Sequence, residues 1–543
     1  MKFLKIISAC LPVMLLLAAC SKDLLNEEPP HLLAPETLFK TKVGFEGAVN
    51  ALYDQARRER SGNTVGSIND MMLTMAYIGV DNAYSNYRAP FEDIFNLWQA
   101  RNNSLHESYS RAWAWLYQTI NAANSIINRA ETAQLDWTAE ERDQIIAEAR
   151  CMRALAYRHL TFLWGDVPVS LEESSGAVIK TDYQRTPVAE VRKTIEADLL
   201  FAEEHLPETS PNQGKLIRGV AQHYLAELYL TTGENEKAKT KAELVTKNPN
   251  YRLITVRYGV NKANPGTPFT DMFLDGNSNR SEGNTEALWV LQNELFIKGG
   301  EGNNLMRRCW SNRYYSIIMK KGTSNINPFA VTAENGGRGI GRFGPTRFAL
   351  DLYAPGDDRG SGFAWRLYYI LRDASKIPNG YKINDTVWVT RNVNEKLSNP
   401  DWPHPRKWDY TYPANVEDDR VYNDQIYLRS ADTWLLLAEA KFKLNDLAGA
   451  AEAINTIRSR SNAAPVLPSQ ITLDFILDER SRELFSEEHR RYTLLRTNKW
   501  LERTKLYNKT ASPYVVERDK LFPIPQDMID ANLTAVFPQN PAY

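Results

Sequence analysis

The chain has 543 residues, of which 43% are hydrophobic, so it is long enough to bury a substantial core. Lysine and arginine total 65 residues against 66 for aspartate and glutamate. This balance argues against a nucleic-acid partner, because phosphate-binding proteins normally carry a basic excess or a basic patch.

The N-terminus has the pattern of a lipoprotein signal. Lys2 and Lys5 form a positive start, residues 6–17 form a short apolar stretch, and Leu-Ala-Ala-Cys ends at Cys20. An ordinary secretory signal or a buried helix is the alternative, but the chain turns polar directly after the cysteine. We therefore predict that Cys20 carries lipid, which anchors the protein without spanning the membrane.

The predicted organisation has four parts. A signal peptide of residues 1–19 precedes a lipid-anchored tether of residues 20–36, which is polar and contains prolines. An N-terminal helical region then covers residues 37–264. The C-terminal region covers residues 265–543 and begins with a loop-rich insertion, residues 265–420, where glycine, asparagine, aspartate and aromatic residues rise and helical periodicity fades.

Helical periodicity dominates the N-terminal region. Apolar residues recur at spacings of three and four over residues 44–60 and 107–130. Thr138 followed by Glu141 predicts a capping box, and the helix it starts should end at Gly165.

An internal repeat decides the predicted fold class. Ala226, Gly233 and Ala238 have the same separations as Ala438, Asn445 and Ala450. In each copy an apolar helix ends at a Gly or Asn turn and an alanine-rich helix returns, as in a tetratricopeptide unit. We predict an all-α protein with tetratricopeptide-like helix pairs as scaffold, long irregular loops and minor short strands, in which the two copies pack together despite their separation in the chain.

The search for catalytic chemistry finds little. There is no HExxH motif or Gly-x-Ser-x-Gly elbow, and the glycine-rich residues 336–341 match no nucleotide-binding spacing. Asp357 and Asp358 fit an N-cap or an arginine partner better than a calcium loop. Residues 487–491, Glu-Glu-His-Arg-Arg, are interpreted as a solvated, salt-bridged helix face. We predict no catalytic residue, no metal and no cofactor; a Cys151–Cys309 bridge stays open.

Loop aromatics are the candidates for ligand binding. Flat rings stack on the apolar faces of sugars, while amides and guanidinium groups hydrogen-bond the hydroxyls. Structural anchoring of the loops is the alternative for each ring. The predicted ligand-binding residues are Tyr84, Tyr87, Trp98, Arg101, Asn102, Trp310 and Tyr314.

Several segments resemble the SusD/RagB family of nutrient-uptake lipoproteins. Residues 113–131 are similar to its W-x-x-x-Y-x-x-I-x-x-x-N helix, and residues 147–169 to its EAR-x-x-RA to GDVP signature. The segments 429–440 and 479–496 and the C-terminal Asn-Pro-Ala-Tyr continue the resemblance in the expected order. Ala542 replaces the usual glycine of the family ending, and His489 replaces a common glycine. Both departures concern local backbone conformation.

The resemblance implies a non-enzymatic protein of the outer membrane, facing the cell exterior, that binds oligosaccharide and delivers it to a SusC-like TonB-dependent transporter. It also implies that the signature residues Arg150, Arg153 and Asp166 serve the scaffold through helix–helix ion pairs and turn hydrogen bonds. A peptide-binding member of the family, a lipid-anchored glycan-degrading enzyme and a tetratricopeptide adaptor are the alternatives.

Overall fold

The computed structural model describes residues 35–61, 71–86, 93–174, 180–297, 300, 304–390, 399–418 and 421–543. The α-helices are Pro35–Leu38 (α1), Lys42–Ser61 (α2), Thr74–Tyr77 (α3), Ile94–Leu97 (α4), Glu107–Thr132 (α5), Ala139–Trp164 (α6), Val188–His205 (α7), Arg218–Thr232 (α8), Asn235–Thr246 (α9), Pro268–Asp271 (α10), Met306–Trp310 (α11), Arg347–Asp351 (α12), Ser430–Lys443 (α13), Leu447–Arg460 (α14), Leu473–Leu484 (α15), Arg490–Arg496 (α16), Trp500–Tyr507 (α17) and Gln526–Asp530 (α18).

The strands are short and pair two by two. They are Ala83–Ser85 (β1), Ala287–Leu291 (β2), Met319–Lys321 (β3), Ser324–Ile326 (β4), Phe343–Pro345 (β5), Trp365–Arg366 (β6), Tyr368–Ile370 (β7), Thr386–Trp388 (β8), His404–Pro405 (β9) and Gln425–Arg429 (β10). The antiparallel pairs are β1–β5, β2–β10, β3–β4, β6–β9 and β7–β8.

Local sequence signals explain the helix ends. The side chain of Thr138 accepts a hydrogen bond from the backbone N–H of Glu141 at 3.2 Å, and the carboxylate of Glu141 accepts one from the backbone N–H of Thr138 at 3.0 Å. The predicted capping box is confirmed. Helix α6 ends at Gly165, whose φ of 75° suits a residue without a Cβ atom.

The predicted repeat is confirmed as two helix pairs, α8–α9 and α13–α14. Gly233 and Asn445, at corresponding positions, both adopt left-handed backbone with φ of 85° and 62°. Helix α9 packs against α13, so the two copies are neighbours across a long stretch of chain. Alanines at the facing positions are fully buried, which permits the close helix packing. The all-α class with tetratricopeptide-like pairs and minor strands is confirmed.

The family signature residues make scaffold contacts. The guanidinium of Arg153 forms a bidentate ion pair with Asp198 at 2.7 and 2.8 Å, joining α6 to α7. Asp166 accepts a hydrogen bond from the N–H of Val188 at 2.8 Å. The side chain of Arg150 packs over the ring of Phe201 at 4.3 Å. These contacts agree with the scaffold role.

The interpretation of residues 487–491 as a solvated face is wrong. Glu487, Glu488 and His489 are 8% exposed, and Arg490 and Arg491 are at most 1% exposed. Their partners come from distant segments: Arg490 binds Asp81 at 2.7 Å, for example. Helical spacing carries no information about partners so distant in sequence, and a charged run without visible partners is predicted to be exposed.

Contacts between distant segments run through the molecule. Asp81 also binds Arg503 at 2.8 Å, and Arg60 donates to the carbonyl of Ile426 at 3.1 Å. The division at residue 264 therefore stays a prediction.

Cys151 and Cys309 are both buried and form no disulfide with each other. Among the described helices, none combines the length and the apolar character that a membrane crossing requires.

Candidate functional site

Four of the predicted ligand-binding aromatics are core residues. Trp98, Tyr84 and Tyr314 are 0% exposed and Trp310 is 1% exposed. Trp98, for instance, lies parallel to the ring of Phe522, with an angle of 6° between the ring planes. The expectation that these four rings stand on exposed loops is wrong. Other aromatic side chains pack against Trp98, Trp310 and Tyr314, and Tyr84 lies against Gly344 of the paired strand.

The other predicted residues have different surroundings. Asn102 is 2% exposed and donates to Asp519 at 2.8 Å and to the hydroxyl of Tyr543 at 2.6 Å, so it holds the C-terminal segment in place. The side chain of Arg101 is 59% exposed. Its contact with a ligand stays a prediction. Tyr87 and the lipid-attachment residue Cys20 lie outside the described residues.

Exposed aromatic side chains occur instead on the β7–β8 hairpin. Tyr368 is directly opposite Trp388, and the two side chains are 39% and 66% exposed. Their ring centroids are 5.2 Å apart with the planes at 61°. Tyr369, between them and the core, is 1% exposed because side chains alternate between the two faces of a strand.

The same alternation places polar groups beside the two rings. Ile370 pairs with Thr386 on the outward face, and beyond them the guanidinium of Arg372 donates to the side-chain oxygen of Asn384 at 2.7 Å. We define the ribbon surface as the outward residues of this hairpin and its extension: Tyr368, Ile370, Arg372, Asn384, Thr386 and Trp388. It combines two aromatic rings with a guanidinium, an amide and a hydroxyl.

A small separate core supports this hairpin from below. Tyr369 packs with Tyr314, Phe329 and Leu371, and the rings of Tyr314 and Tyr369 stack with centroids 4.6 Å apart. The hydroxyl of Tyr314 donates to the carbonyl of Gly337 at 3.0 Å. The predicted residue Tyr314 thus lies under the ribbon surface and positions it from inside.

The charges at the polar end of the ribbon surface are paired. Arg372 binds Glu334 with its closest contact at 2.6 Å. This hydrogen bond raises the pKa of Arg372 and lowers the pKa of Glu334, so both groups stay ionised near neutral pH. A paired, exposed arginine can still offer N–H donors to ligand hydroxyls.

Sequence reasoning missed Tyr368 and Trp388, although a local signal was present. In the run Asn-Asp-Thr-Val-Trp-Val of residues 384–389, Val387 and Val389 alternate with Thr386 and Trp388. Such alternation predicts a half-buried strand whose tryptophan shares the outer face with a threonine. Tryptophan is enriched at interfaces, so a tryptophan on the polar face of a strand is a candidate binding residue.

Comparisons with known proteins agree with this architecture. The profile of the SusD family matches residues 303–543, and the profile described as "Starch-binding associating with outer membrane" matches residues 35–230. SusD-like protein P2 of Formosa agariphila is 26% identical, with 98% of each chain covered.

Solved structures share the fold. Surface glycan-binding protein A from Bacteroides thetaiotaomicron, in complex with laminarihexaose, superposes with a TM-score of 0.70 at 18% identity, covering 92% of this chain and 99% of that one. A laminarin-binding SusD-like protein gives a TM-score of 0.70 at 20% identity, with 93% and 100% covered. The solved structures show the shared fold, and the two family profiles together with the full-length relative from Formosa agariphila show that the chain belongs to the SusD family.

Proposed function

We propose that this protein binds a polysaccharide or oligosaccharide at the cell surface without cleaving it and passes it to a SusC-like TonB-dependent transporter. Lipid on Cys20 would hold it at the outer membrane, facing the exterior. The observation that carries the proposal is the ribbon surface, where two exposed rings stand beside hydrogen-bonding side chains.

The chemistry of the ribbon surface suits sugar rings. The indole of Trp388 is two-thirds exposed. When the apolar C–H face of a sugar stacks on this ring, both surfaces are removed from water, which is favourable. Thr386, Asn384 and Arg372 lie in line with the rings along the strands, so hydroxyls of the same chain can reach them. Strand pairing and the small core beneath the hairpin hold these side chains in place, which keeps the cost of ordering the site low.

Glu334, the carboxylate paired with Arg372 at the polar end of the ribbon surface, does not suit general acid catalysis. A glycosidase needs a carboxylic acid whose pKa is raised so that it can protonate the leaving oxygen. The pKa of Glu334 is lowered by its hydrogen bond with Arg372, which is the opposite shift. This carboxylate therefore suits hydrogen-bond acceptance and not general acid catalysis.

The test is a glycan-binding screen of the purified protein, starting with laminarin because two proteins of this fold bind it or its hexasaccharide. We expect selective binding of one polysaccharide class, and we expect Trp388→Ala to weaken it about tenfold or more through loss of the exposed ring. Titration calorimetry measures the affinity, and the same samples are assayed for new reducing ends.

Tyr514→Ala is the matched control, because Tyr514 is 40% exposed and lies outside the ribbon surface. Its affinity should equal that of the unchanged protein. Equal loss in both variants would contradict the assignment of the site, and steady release of reducing ends would favour the enzyme alternative. Binding of peptides in place of glycans would favour the peptide-binding alternative.

A further inference from the structure

A cleft with a volume of about 500 Å³ opens in the loop-rich part of the chain. Four segments form it, all within the insertion except for the start of the first: residues 260–275, 333–336, 363–366 and 406–411. Its walls include the apolar side chains of Phe269, Phe273 and Phe363 and the polar side chains of Arg406, Asp275 and Tyr410. We call this the insertion cleft.

The insertion cleft adjoins the ribbon surface. Gly362 lies against the ring of Tyr368, where an added Cβ atom would be 3.6 Å from the ring carbon Cε1. The next residue, Phe363, lines the cleft and is 41% exposed. Arg406, also in the cleft, donates to the carbonyl of Gly362 at 2.9 Å. One residue of backbone therefore separates the two surfaces.

The charges of the insertion cleft balance. Its lining contains three basic residues, Arg366, Arg406 and Lys407, and three acidic ones, Asp271, Asp275 and Asp409. Such a lining gives no net attraction for an anionic ligand.

Ion pairs inside and behind the wall occupy most of these groups. Arg366 and Arg406 both bind the same carboxylate, that of Asp409, at 2.8 and 3.1 Å. Lys407 is buried against Glu487, and Asp271 binds Arg257 at 2.6 Å. The pairs leave a lining that is polar but carries no net charge.

We propose that the insertion cleft is a second subsite for the same glycan, taking uncharged sugar units of a chain whose neighbouring units lie on the ribbon surface. This inference rests on the proposed function. It assigns Phe363 as the stacking ring and Asp275 and Arg406 as hydrogen-bonding groups for hydroxyls. A volume of about 500 Å³ is within the range of small-molecule sites.

The test compares a short and a long ligand of the same chemistry. The probes are laminaribiose and laminarihexaose, or the disaccharide and hexasaccharide of whichever polysaccharide the screen selects. For the unchanged protein we expect the hexasaccharide to bind about tenfold more tightly, because only the longer chain reaches both subsites. Its affinity should change little from low to high sodium chloride, since the ligand is uncharged.

Phe363→Ala should remove most of the advantage of the hexasaccharide and leave disaccharide binding unchanged. Asp275→Asn is a second variant, since this exposed carboxylate contributes little to folding; it should reduce hexasaccharide binding several-fold. Trp388→Ala should weaken both probes, and Tyr514→Ala neither. Thermal unfolding confirms that each variant is folded.

Two results would overturn the inference while leaving the proposed function standing. The first is unchanged hexasaccharide binding in both Phe363→Ala and Asp275→Asn. The second is equal loss of disaccharide and hexasaccharide, which would place Phe363 in the first subsite. Failure of the unchanged protein to bind any glycan would instead reject the proposed function and this inference with it.

Discussion

Glu483 is 0% exposed and its carboxylate lies among three arginines. It binds Arg359 at 3.1 Å and Arg429 at 2.6 Å, and it also pairs with Arg460. Burial acts to raise the pKa of Glu483, but the surrounding arginines outweigh burial and lower it. The charge at this residue is therefore part of the folded core.

We expect Glu483→Gln to lower the free energy of unfolding by about 3 kcal/mol or more, because it leaves buried guanidinium groups without their counter-charge. Urea unfolding at neutral pH measures the change. Asp351→Asn is the matched control: it removes a carboxylate from a half-exposed ion pair with Arg347 and should cost about 0.5 kcal/mol or less. Similar small losses in both variants would contradict a buried network.

The sequence predicted the kinds of side chain expected in a binding site but not which aromatic rings are exposed. The chemistry expected for the site, aromatic rings beside Asn and Arg on a loop, does occur on the ribbon surface, but with Tyr368 and Trp388 in place of Trp98 and Trp310. Composition alone cannot distinguish a covered ring from an exposed one. Trp310 is covered by Phe343 and Phe485, which come from parts of the chain far from it in sequence.

At the scale of the helix, two glycines distinguish the effect of helix propensity from the effect of backbone conformation. Gly47 lies inside α2, and an added Cβ atom would meet nothing within 4 Å. Gly233 also has open space around it, but its φ of 85° is unfavourable for alanine.

Gly47→Ala should therefore raise the free energy of unfolding by about 0.5–1 kcal/mol, because alanine has higher helix propensity and a less disordered unfolded state. Gly233→Ala should lower it by about 1 kcal/mol through backbone strain at the end of α8. Urea unfolding of the two variants measures both changes. A change of the same sign in both would show that backbone conformation at the repeat turn is not the deciding factor.

Helices and hairpins differ in how far the sequence predicts them. Helix α6 carries its own start and stop, Thr138 with Glu141 and then Gly165, and its bounds follow from these residues. The β7–β8 hairpin has alternating residues but a long connection, so its register depends on packing of Tyr369 against Tyr314. Local signals decide the first case and a tertiary contact decides the second.

The molecule as a whole should lose stability in acid. Burial acts to raise the pKa of Glu227, but Arg158 outweighs burial and lowers it to about 2. Burial lowers the pKa of His404 to about 3. Both residues are thus harder to protonate in the folded protein than in the unfolded chain, whose ordinary values are 4.5 and 6.5.

The direction of the pH effect follows from these values. The contribution of Glu227 is complete above pH 4.5 and falls as the pH drops toward 2; that of His404 is complete above 6.5 and falls toward 3. We expect the free energy of unfolding to decrease steadily below pH 6.5, with His404 contributing up to about 3 kcal/mol between pH 6.5 and 4.5. Urea unfolding across this pH range measures the decrease. The variant His404→Gln should show a smaller decrease between pH 6.5 and 4.5. A flat profile in the unchanged protein would contradict buried, uncharged His404.

The sequence by itself determined the features that depend on neighbouring residues: the capped helices, the two helix–turn–helix repeats with Gly233 and Asn445 at their turns, and a family resemblance that the comparisons confirmed. Only the tertiary structure decided which charges and rings are covered. Arg490 meets Asp81 and Trp98 meets Phe522 across several hundred residues. Burial depends on such distant contacts, whereas helix propensity and turn conformation are properties of the local chain.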